Sequence, residues 1–504
     1  MPNYNRGIIK QIEELTKTNE VLERANRTLK LENRELVQKI TRLEDSLDAR
    51  ISKALEKAVT PLHERINYLE CEVVKKDAEI SRLKAQLNKN SSNSSKPPGT
   101  DGFKKIVNSR EKSGKTVGGQ PGHKGTTLTL PSNMEDLLKE GKAKKELVDY
   151  TNGSGKYVSK WKIDLETMVV YTEYRYPEGE VPCVYYGENI KALSVLLSND
   201  GLIAHNRLSD FISDVTGGQI TMSVASIEKF NRIASLNVDI ESLKQELLNG
   251  EVMNTDETQL RCTQILEYDT DQPKTAHGTT FGVIVRTHSN ANTTLYTINP
   301  HKDDKGIDAD GIIPSFCGIL AHDHDKKLYK YGNHHATCGA HLSRELKGLH
   351  ELFHVEWAGR FRKFYTGLND YKNETEYCPP GKLIEFEYLY DQLLDEGDSI
   401  LGAMAENSFG YKEFKPILKR LRIYKDAYLL FIRNYKAPFT NNQAERDLRP
   451  CKTKQKVSGC FRSWQGIISY ARIRSFISTV RKRKLPLLDS IKGLFCPYFF
   501  YAAE

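Results

Sequence analysis

Three acidic residues, Asp256, Asp323 and Glu445, lie in sequence contexts that would bring their carboxylates to one point. Asp256 follows a short apolar run, and Asp323 ends the apolar run 317–322, which is typical of a buried strand. Active sites of open α/β sheets gather at the carboxyl ends of such strands. Carboxylates gathered there would bind hard divalent cations, so metal-dependent phosphodiester chemistry is the leading hypothesis.

Glu445 lies near the start of a predicted helix. Asn441 and Asn442 suit the N-cap, and acidic charge in the first turn suits the helix dipole. Arg449 and Lys452 follow Glu445 at i+4 and i+7, so one helix face carries a carboxylate beside two cations. That face would hold a metal ion and a substrate phosphate.

Segments 280–287 and 293–298 are rich in β-branched and aromatic residues, and residues 290–292 between them have turn chemistry. With the strand before Asp256 they predict a three-stranded meander. The three acids alone are a weak signal, since the chain has 66 acidic residues. A solvated turn or helix-face charge is the ordinary explanation for any one of them.

A series of motifs runs in order along the chain from residue 90 to the C-terminal region. They are NSSNSSKPP (90–98), GGQPGHKG (118–125), YGENIKAL (186–193), DET (256–258), HDH (322–324), CGAHLSREL (338–346), NNQAERDLRP (441–450) and KVSGCFRS (456–463). Together they resemble the IS66 family of bacterial insertion-sequence transposases.

This resemblance implies an RNase H-like catalytic domain with a DDE triad at Asp256, Asp323 and Glu445, which would hold Mg²⁺, or Mn²⁺ as a substitute, as two ions. The interval before Glu445 is longer than a plain RNase H-like core needs, and residues 347–430 show helical periodicity. A helical insertion is therefore expected there. The core would then comprise residues 246–346 and 431–504, the latter with C-terminal basic helices.

The N-terminal region, residues 1–88, has a heptad pattern with leucine at d and mostly asparagine at a. Its d positions are Leu15, Leu22, Leu29, Leu36 and Leu43, and its a positions are Asn19, Asn26, Asn33, Ile40 and Leu47. This combination favours a parallel dimeric coiled coil. Pro61 interrupts the pattern, so an intramolecular hairpin about Pro61 competes with the homodimer.

Two regions separate the coiled coil from the catalytic core. Residues 89–125 are polar and basic with few apolar residues, which predicts a flexible linker suited to a phosphate backbone. Residues 126–245 predict a small α/β DNA-binding region, with strands such as 168–176 followed by helices. Segment 207–234 is compatible with a helix-turn-helix whose Lys229 and Arg232 contact phosphate. A purely structural helix pair explains the same pattern equally well.

Zinc is not expected from the sequence. Residues 148–163, where the family often carries a zinc-binding element, contain no cysteine. Cys338 and His341 form one C-x-x-H pair, whereas structural zinc generally takes four ligands and no second pair has standard spacing. The resemblance makes the pair part of a recurrent motif without fixing its role.

Cations crowd the segment after Glu445. Arg449, Lys452, Lys454, Lys456 and Arg462 are the candidate DNA-binding residues, and four more cations occupy 481–484. Against a net charge of only +8, this clustering predicts a DNA-binding surface.

Length and composition support a multidomain protein of 504 residues, and its predicted strands and helices with the family resemblance give the fold class as α+β. Its nine scattered cysteines lack disulfide-framework spacing, and no apolar run approaches the roughly 20 residues that span a bilayer. The expected location is therefore the bacterial cytoplasm, at the nucleoid, and no membrane partner is expected.

The sequence thus predicts a transposase that binds the terminal inverted repeats of its element, cleaves there and joins the end to target DNA, with accessory proteins from the same element. Two alternatives stay open: an RNase H-like nuclease without strand transfer, and an inactive coiled-coil DNA-binding regulator.

Overall fold

The computed structural model describes residues 3–89, 93–94, 130–141, 143–148, 159, 161, 163, 167–173, 175, 184–332, 334–406 and 408–496. The predicted linker, apart from its first residues, lies outside these ranges, as does most of 148–163. The chain divides into two units, residues 1–88 and 89–504. Among the described residues, no helix combines the length and apolar character needed to cross a membrane.

The first unit is a single helix, α1 (Asn3–Asn88), which runs through Pro61 without a break. The hairpin about Pro61 is therefore not formed. The d-position leucines are more than half exposed along this helix. Helices with such an apolar seam gain stability from packing against another helix rather than from intrinsic propensity.

The second unit is built on a five-stranded mixed sheet of order β5-β4-β1-β6-β7, with a separate pair formed by β2 and β3. The strands are β1 (Val252–Cys262), β2 (Gln264–Ile265), β3 (Lys274–Thr275), β4 (Phe281–Ser289), β5 (Thr294–Asn299), β6 (Ile319–His322) and β7 (His334–Thr337). The meander β1-β4-β5 is antiparallel, as predicted, whereas β6 and β7 run parallel to β1.

The remaining helices follow in chain order. They are α2 (Met134–Lys139), α3 (Glu188–Asn199), α4 (His205–Val215), α5 (Val224–Leu236), α6 (Ile240–Leu248), α7 (Asp304–Asp310), α8 (Gly339–Phe353), α9 (Glu356–Glu374), α10 (Pro380–Ala403), α11 (Phe409–Ile423), α12 (Lys425–Arg433), α13 (Asn442–Ser458), α14 (Trp464–Lys482) and α15 (Leu487–Gly493).

Successive side chains of a strand point to opposite faces of the sheet, and here apolar residues on both faces pack against helices. On one face, Leu260 of β1 packs with Leu448 of α13 and Ile467 of α14. On the other face, Met253 of β1 packs with Leu247 of α6 and Ile307 of α7. Asp256 shares its parity with Leu260, so it lies on the face that α13 covers.

Residues 347–430, the predicted helical insertion, are helical where they are described: they contain the last seven residues of α8, all of α9, α10 and α11, and the first six residues of α12. Trp357, Phe361, Tyr390 and Phe414 are fully buried within its core. Contacts of α12 with β7 join this core to the sheet. These helices therefore pack directly against β7, the neighbour of β6, and Asp323 is the residue that follows β6.

The region before the sheet is helical where the structure describes it from residue 184 onward. Helices α3, α4 and α5 pack with α14 and α15 around Leu208, Ile227 and Ile473. The predicted strand 168–176 is wrong for its described part, since residues 168–173 form no strand. Val170 and Tyr171 there are exposed, and no described strand pairs with them.

Candidate metal centre

The sheet brings Asp256 and Asp323 together. Thr255 of β1 lies opposite His322, the last residue of β6, in parallel register, and the residues that follow these two in the chain are Asp256 and Asp323. Asp323 directly follows β6, as predicted. Asp256 was expected where its strand ends, but β1 continues to Cys262 because β4 pairs with it along that whole length.

Glu445 joins them from the first turn of α13, as predicted. The helix begins after Asn441, yet Asn441 makes no side-chain cap. Its fully buried amide instead donates to the backbone oxygen of Thr255 at 2.7 Å and lies 3.4 Å from Oδ1 of Asp323. Asn254 donates to its Oδ1 at 3.1 Å. Asn441 thus connects the helix that carries Glu445 to both strands.

The C-x-x-H motif lies against the same carboxylates. Cys338 is the N-cap residue of α8, and His341 lies in the first turn of that helix. Nδ1 of His341 is 3.2 Å from Oδ1 of Asp323 and 3.8 Å from Oε1 of Glu445. The ligand atoms of Asp323, Cys338, His341 and Glu445 all lie within 4.8 Å of one another, a group that could hold a metal ion.

The two aspartates have opposite pKa shifts. Burial, followed by the charges of Asp323 and Glu445, raises the pKa of Asp256 to about 7. Burial opposes ionisation of Asp323 too, but His341 and Asn441 outweigh it and lower that pKa. Burial alone would lower the pKa of His341, yet Asp323 and Cys338 raise it to about 10.

These properties fit a bound cation. The partly buried carboxylate of Asp256 forms no ion pair among the described residues, and its raised pKa shows that its ionised form is under-compensated. Nδ1 of His341 is buried and has no aligned hydrogen-bond partner in the described chain. A divalent cation would compensate the charge of Asp256, and one that accepts nitrogen ligands could bind Nδ1 of His341 once that ring has lost its proton. The oxygen ligands suit Mg²⁺ or Mn²⁺.

Aromatic side chains also contact the segment around Asp323. Nδ1 of His322 lies 2.6 Å from the backbone oxygen of Asp323, and Nδ1 of His324 lies 2.9 Å from the hydroxyl of Tyr329. Tyr329 stacks on Tyr424 at a centroid distance of 3.9 Å. Because Tyr424 lies between α11 and α12, the helical insertion contributes directly to this support.

The predicted cations occupy different surroundings. Arg449, Lys452, Lys456 and Arg462 are exposed, and the charge of Lys452 acts on the pKa of Asp256. Lys454 turns inward, where its ammonium lies 3.3 Å from the backbone oxygen of Ser198. Lys454 is therefore less exposed than the other four predicted cations.

Two further groups of cations were predicted to contact DNA. Lys229 and Arg232 are exposed on α5, the second helix of the candidate helix-turn-helix. In the basic run 481–484, three residues instead form ion pairs within the fold: Arg481 with Asp200, Lys482 with Asp447, and Arg483 with Glu246. These pairs fix α14 to neighbouring elements.

Arg344 and Asn441 were not predicted as site residues. Nη2 of Arg344, on α8, lies 3.9 Å from Oε1 of Glu445, and its side chain is about one-third exposed. The position of Arg344, three residues after His341 in the motif 338–346, was the available signal, since i+3 places both residues on one helix face.

Fold and site together define a multidomain α+β protein with a candidate metal centre at one end of its sheet. The chain belongs to the IS66 family of transposases, because the family model described as Transposase IS66 family matches residues 184–468, more than half of its length. Residues 5–129 match a family of unknown function, DUF6444. A search of curated proteins gives no match.

The resemblance inferred from the motifs is thereby confirmed. Two of those motifs, 90–98 and 118–125, lie in the segment that matches DUF6444 rather than in the transposase segment. The six motifs from residue 186 onward all lie within the transposase match.

Proposed function

We propose that this protein is a DNA transposase that binds the ends of an insertion sequence and catalyses metal-dependent phosphodiester hydrolysis and strand transfer. The observation that carries the proposal is the convergence of Asp256, Asp323 and Glu445 from two strands and a helix. Membership of a transposase family supports the same conclusion. The strand order, with three antiparallel strands followed by two parallel ones, supports an RNase H-like catalytic domain.

In this proposal the three carboxylates hold two Mg²⁺ ions. When bound, such ions stabilise the attacking and leaving oxygens of an in-line displacement. Asp323 and Glu445 lie close to His341, and the charges of both acids act on the carboxyl of Asp256 in the middle of β1. The order of reaction is hydrolysis at the element boundary, which frees a 3′-OH, and then attack of that 3′-OH on target DNA. The second step exchanges one phosphodiester for another, so it needs no high-energy cofactor.

Exposed cations beside the carboxylates would hold the DNA backbone. Lys452 and Arg449 lie on the helix that carries Glu445, and Lys456 and Arg462 continue the exposed positive surface. Phosphate contacts of this kind position DNA but do not read its sequence. Lys229 and Arg232 on α5 are our candidates for contacts to the terminal inverted repeats. Accessory proteins of the same element complete the proposed assembly in the bacterial cytoplasm.

Self-association through α1 is part of the proposal. The exposed leucines recur at d positions, and asparagine at a positions specifies register in parallel dimers. Sedimentation of the full chain should therefore give a dimer. Leu29→Glu should shift it toward monomer, since a charge would then face the seam, whereas Glu32→Lys outside the a and d positions should not. A wild-type monomer at micromolar concentration would refute this element of the proposal.

The deciding experiment is a strand-transfer assay with labelled element ends and Mg²⁺ or Mn²⁺. We expect joined products from the wild type and none from Asp256→Asn, Asp323→Asn or Glu445→Gln. Asp325→Asn is the matched control, because Asp325 lies two residues after Asp323 but outside the four-ligand group. Its products should equal those of the wild type.

The alternatives give different products. Cleavage without joining would favour an RNase H-like nuclease. Specific binding of the ends without any reaction, in the presence of the element's accessory proteins, would favour a DNA-binding regulator. Equal loss of activity in Asp325→Asn and in the three acid variants would contradict the assignment of the triad.

A further inference from the structure

We propose that Asp323, Cys338, His341 and Glu445 form a four-ligand site for a thiophilic divalent cation of the zinc class. The site overlaps the proposed magnesium centre but leaves Asp256 outside it. The metal site itself rests on the geometry of the four ligands. Only its consequence for DNA cleavage rests on the proposed function.

The distances fit tetrahedral coordination. Zinc bonds to sulfur, nitrogen and oxygen are about 2.0–2.3 Å long, so neighbouring ligand atoms of a tetrahedral site lie about 3.3–3.8 Å apart. Nδ1 of His341 lies 3.2 Å from Asp323 and 3.8 Å from Glu445, and all four ligand atoms lie within 4.8 Å of one another. Small rotations of the side chains would complete the tetrahedron.

The donor types favour zinc over magnesium. Magnesium takes oxygen ligands and keeps several waters, so it has no use for a thiol or an imidazole. One sulfur, one nitrogen and two carboxylate oxygens are a set that zinc accepts. Cys338 is only 2% exposed, and Nδ1 of His341 is buried without an aligned hydrogen-bond partner among the described residues. Both atoms are thus presented inside the group rather than to solvent.

The surrounding backbone holds the ligands in place. Cys338 follows β7 directly and begins α8, so a strand end and a helix start fix its position. Its sulfur accepts the backbone N–H of Asn441 at 3.3 Å. Since the side chain of Asn441 also contacts Asp323, one residue supports two ligands. Preorganisation of this kind strengthens metal binding, because little ordering remains to be done on binding.

Occupancy by zinc would have a regulatory consequence. Asp323 and Glu445 cannot serve the zinc site and the magnesium centre with the same geometry, so the two metals would compete. Zinc should therefore inhibit magnesium-dependent cleavage. Substitution of Asp256 distinguishes the two sites, because Asp256 belongs only to the magnesium centre.

The test is a Co²⁺ titration of the purified full-length chain, with Co²⁺ as the spectroscopic substitute for zinc. The wild type should develop a thiolate-to-cobalt charge-transfer band, and Zn²⁺ but not Mg²⁺ should abolish it. Cys338→Ser should lose the band. Cys451→Ser should keep it, because Cys451 is fully buried elsewhere on α13. His341→Gln should weaken cobalt binding by at least about tenfold.

A wild type without the band, or a band that survives Cys338→Ser, would overturn the proposal. The wild-type result is decisive by itself, so a failure of Cys338→Ser to fold does not protect the proposal. Asp256→Asn should keep the band while losing magnesium-dependent cleavage. A band without any cleavage would therefore support the zinc site and refute the proposed function. Cleavage without a band would refute the zinc site and support the proposed function.

Discussion

The amide of Asn441 offers the sharpest test of how this site is assembled. It is fully buried and connects α13 to β1 and to Asp323. Asn441→Ala removes the 2.7 Å bond to Thr255 and the 3.1 Å bond from Asn254. Each buried hydrogen bond contributes about 0.5–1.5 kcal/mol, and a partner left without its bond adds about 1–3 kcal/mol. We therefore expect a loss of about 2–4 kcal/mol in the free energy of unfolding.

Urea unfolding of the full chain would measure this loss, and Asn442→Ala is the matched control. Asn442 is the next residue, carries the same side chain and is exposed, so its substitution should change stability by no more than about 0.5 kcal/mol. A double-mutant cycle with Asn254→Ala should give a coupling energy of about 0.5–3 kcal/mol. If Asn441→Ala and Asn442→Ala have the same unfolding midpoint, the role assigned to this amide is wrong.

Three further predictions concern other contacts. Because the raised pKa of Asp256, about 7, disfavours its charge in the fold, the metal-free protein should lose stability as pH rises from about 4 to 7. Thermal melting of Asp256→Asn should show a higher Tm than the wild type at pH 8 and an equal one near pH 4; equal Tm values at both would contradict it. Burial would raise the pKa of Asp200, but hydrogen bonds from Arg474 and Arg481 outweigh it and lower that pKa. The ionised Asp200 therefore stabilises the fold at neutral pH, and this stabilisation is lost as pH falls below about 4. Urea unfolding should show Asp200→Asn to be less stable by about 1.5–3 kcal/mol at pH 7, with a flatter dependence in acid; an unchanged acid dependence would contradict it. Gly318→Ala would place a Cβ 2.6 Å from a backbone oxygen, at an expected cost of about 1–3 kcal/mol, whereas Gly402→Ala meets open space in α10 and should stabilise by about 0.4–1 kcal/mol; denaturant midpoints that move in the same direction would refute this contrast.

Local patterns predicted most of the elements. The meander, the strand before Asp323 and the helix of Glu445 each depend on residues close together in sequence, and all three are present. The position of Asp256 within β1 was missed, because the polar residues after it looked like the end of a strand. Pairing with β4 extends that strand, and such pairing depends on residues about thirty positions away.

Charge patterns were less informative than hydrophobic ones. The basic run 481–484 looked like a DNA-binding segment, yet three of its four residues pair with Asp200, Asp447 and Glu246. The sequence shows the cations but not which acidic residues pair with them, because these partners lie at the end of α3, on α13 and on α6. Whether a cation is free for a ligand is therefore decided by packing.

The sequence by itself determined the family, the three candidate acids and the type of each main element, since motifs and periodicity depend only on residue identity and spacing. Only the tertiary structure decided that Cys338 and His341 lie against Asp323 and Glu445, and that Asn441 connects them. Metal coordination requires ligand atoms a few ångströms apart. Between residues more than one hundred positions apart, such distances are set by the packing of strands and helices, which no local pattern encodes.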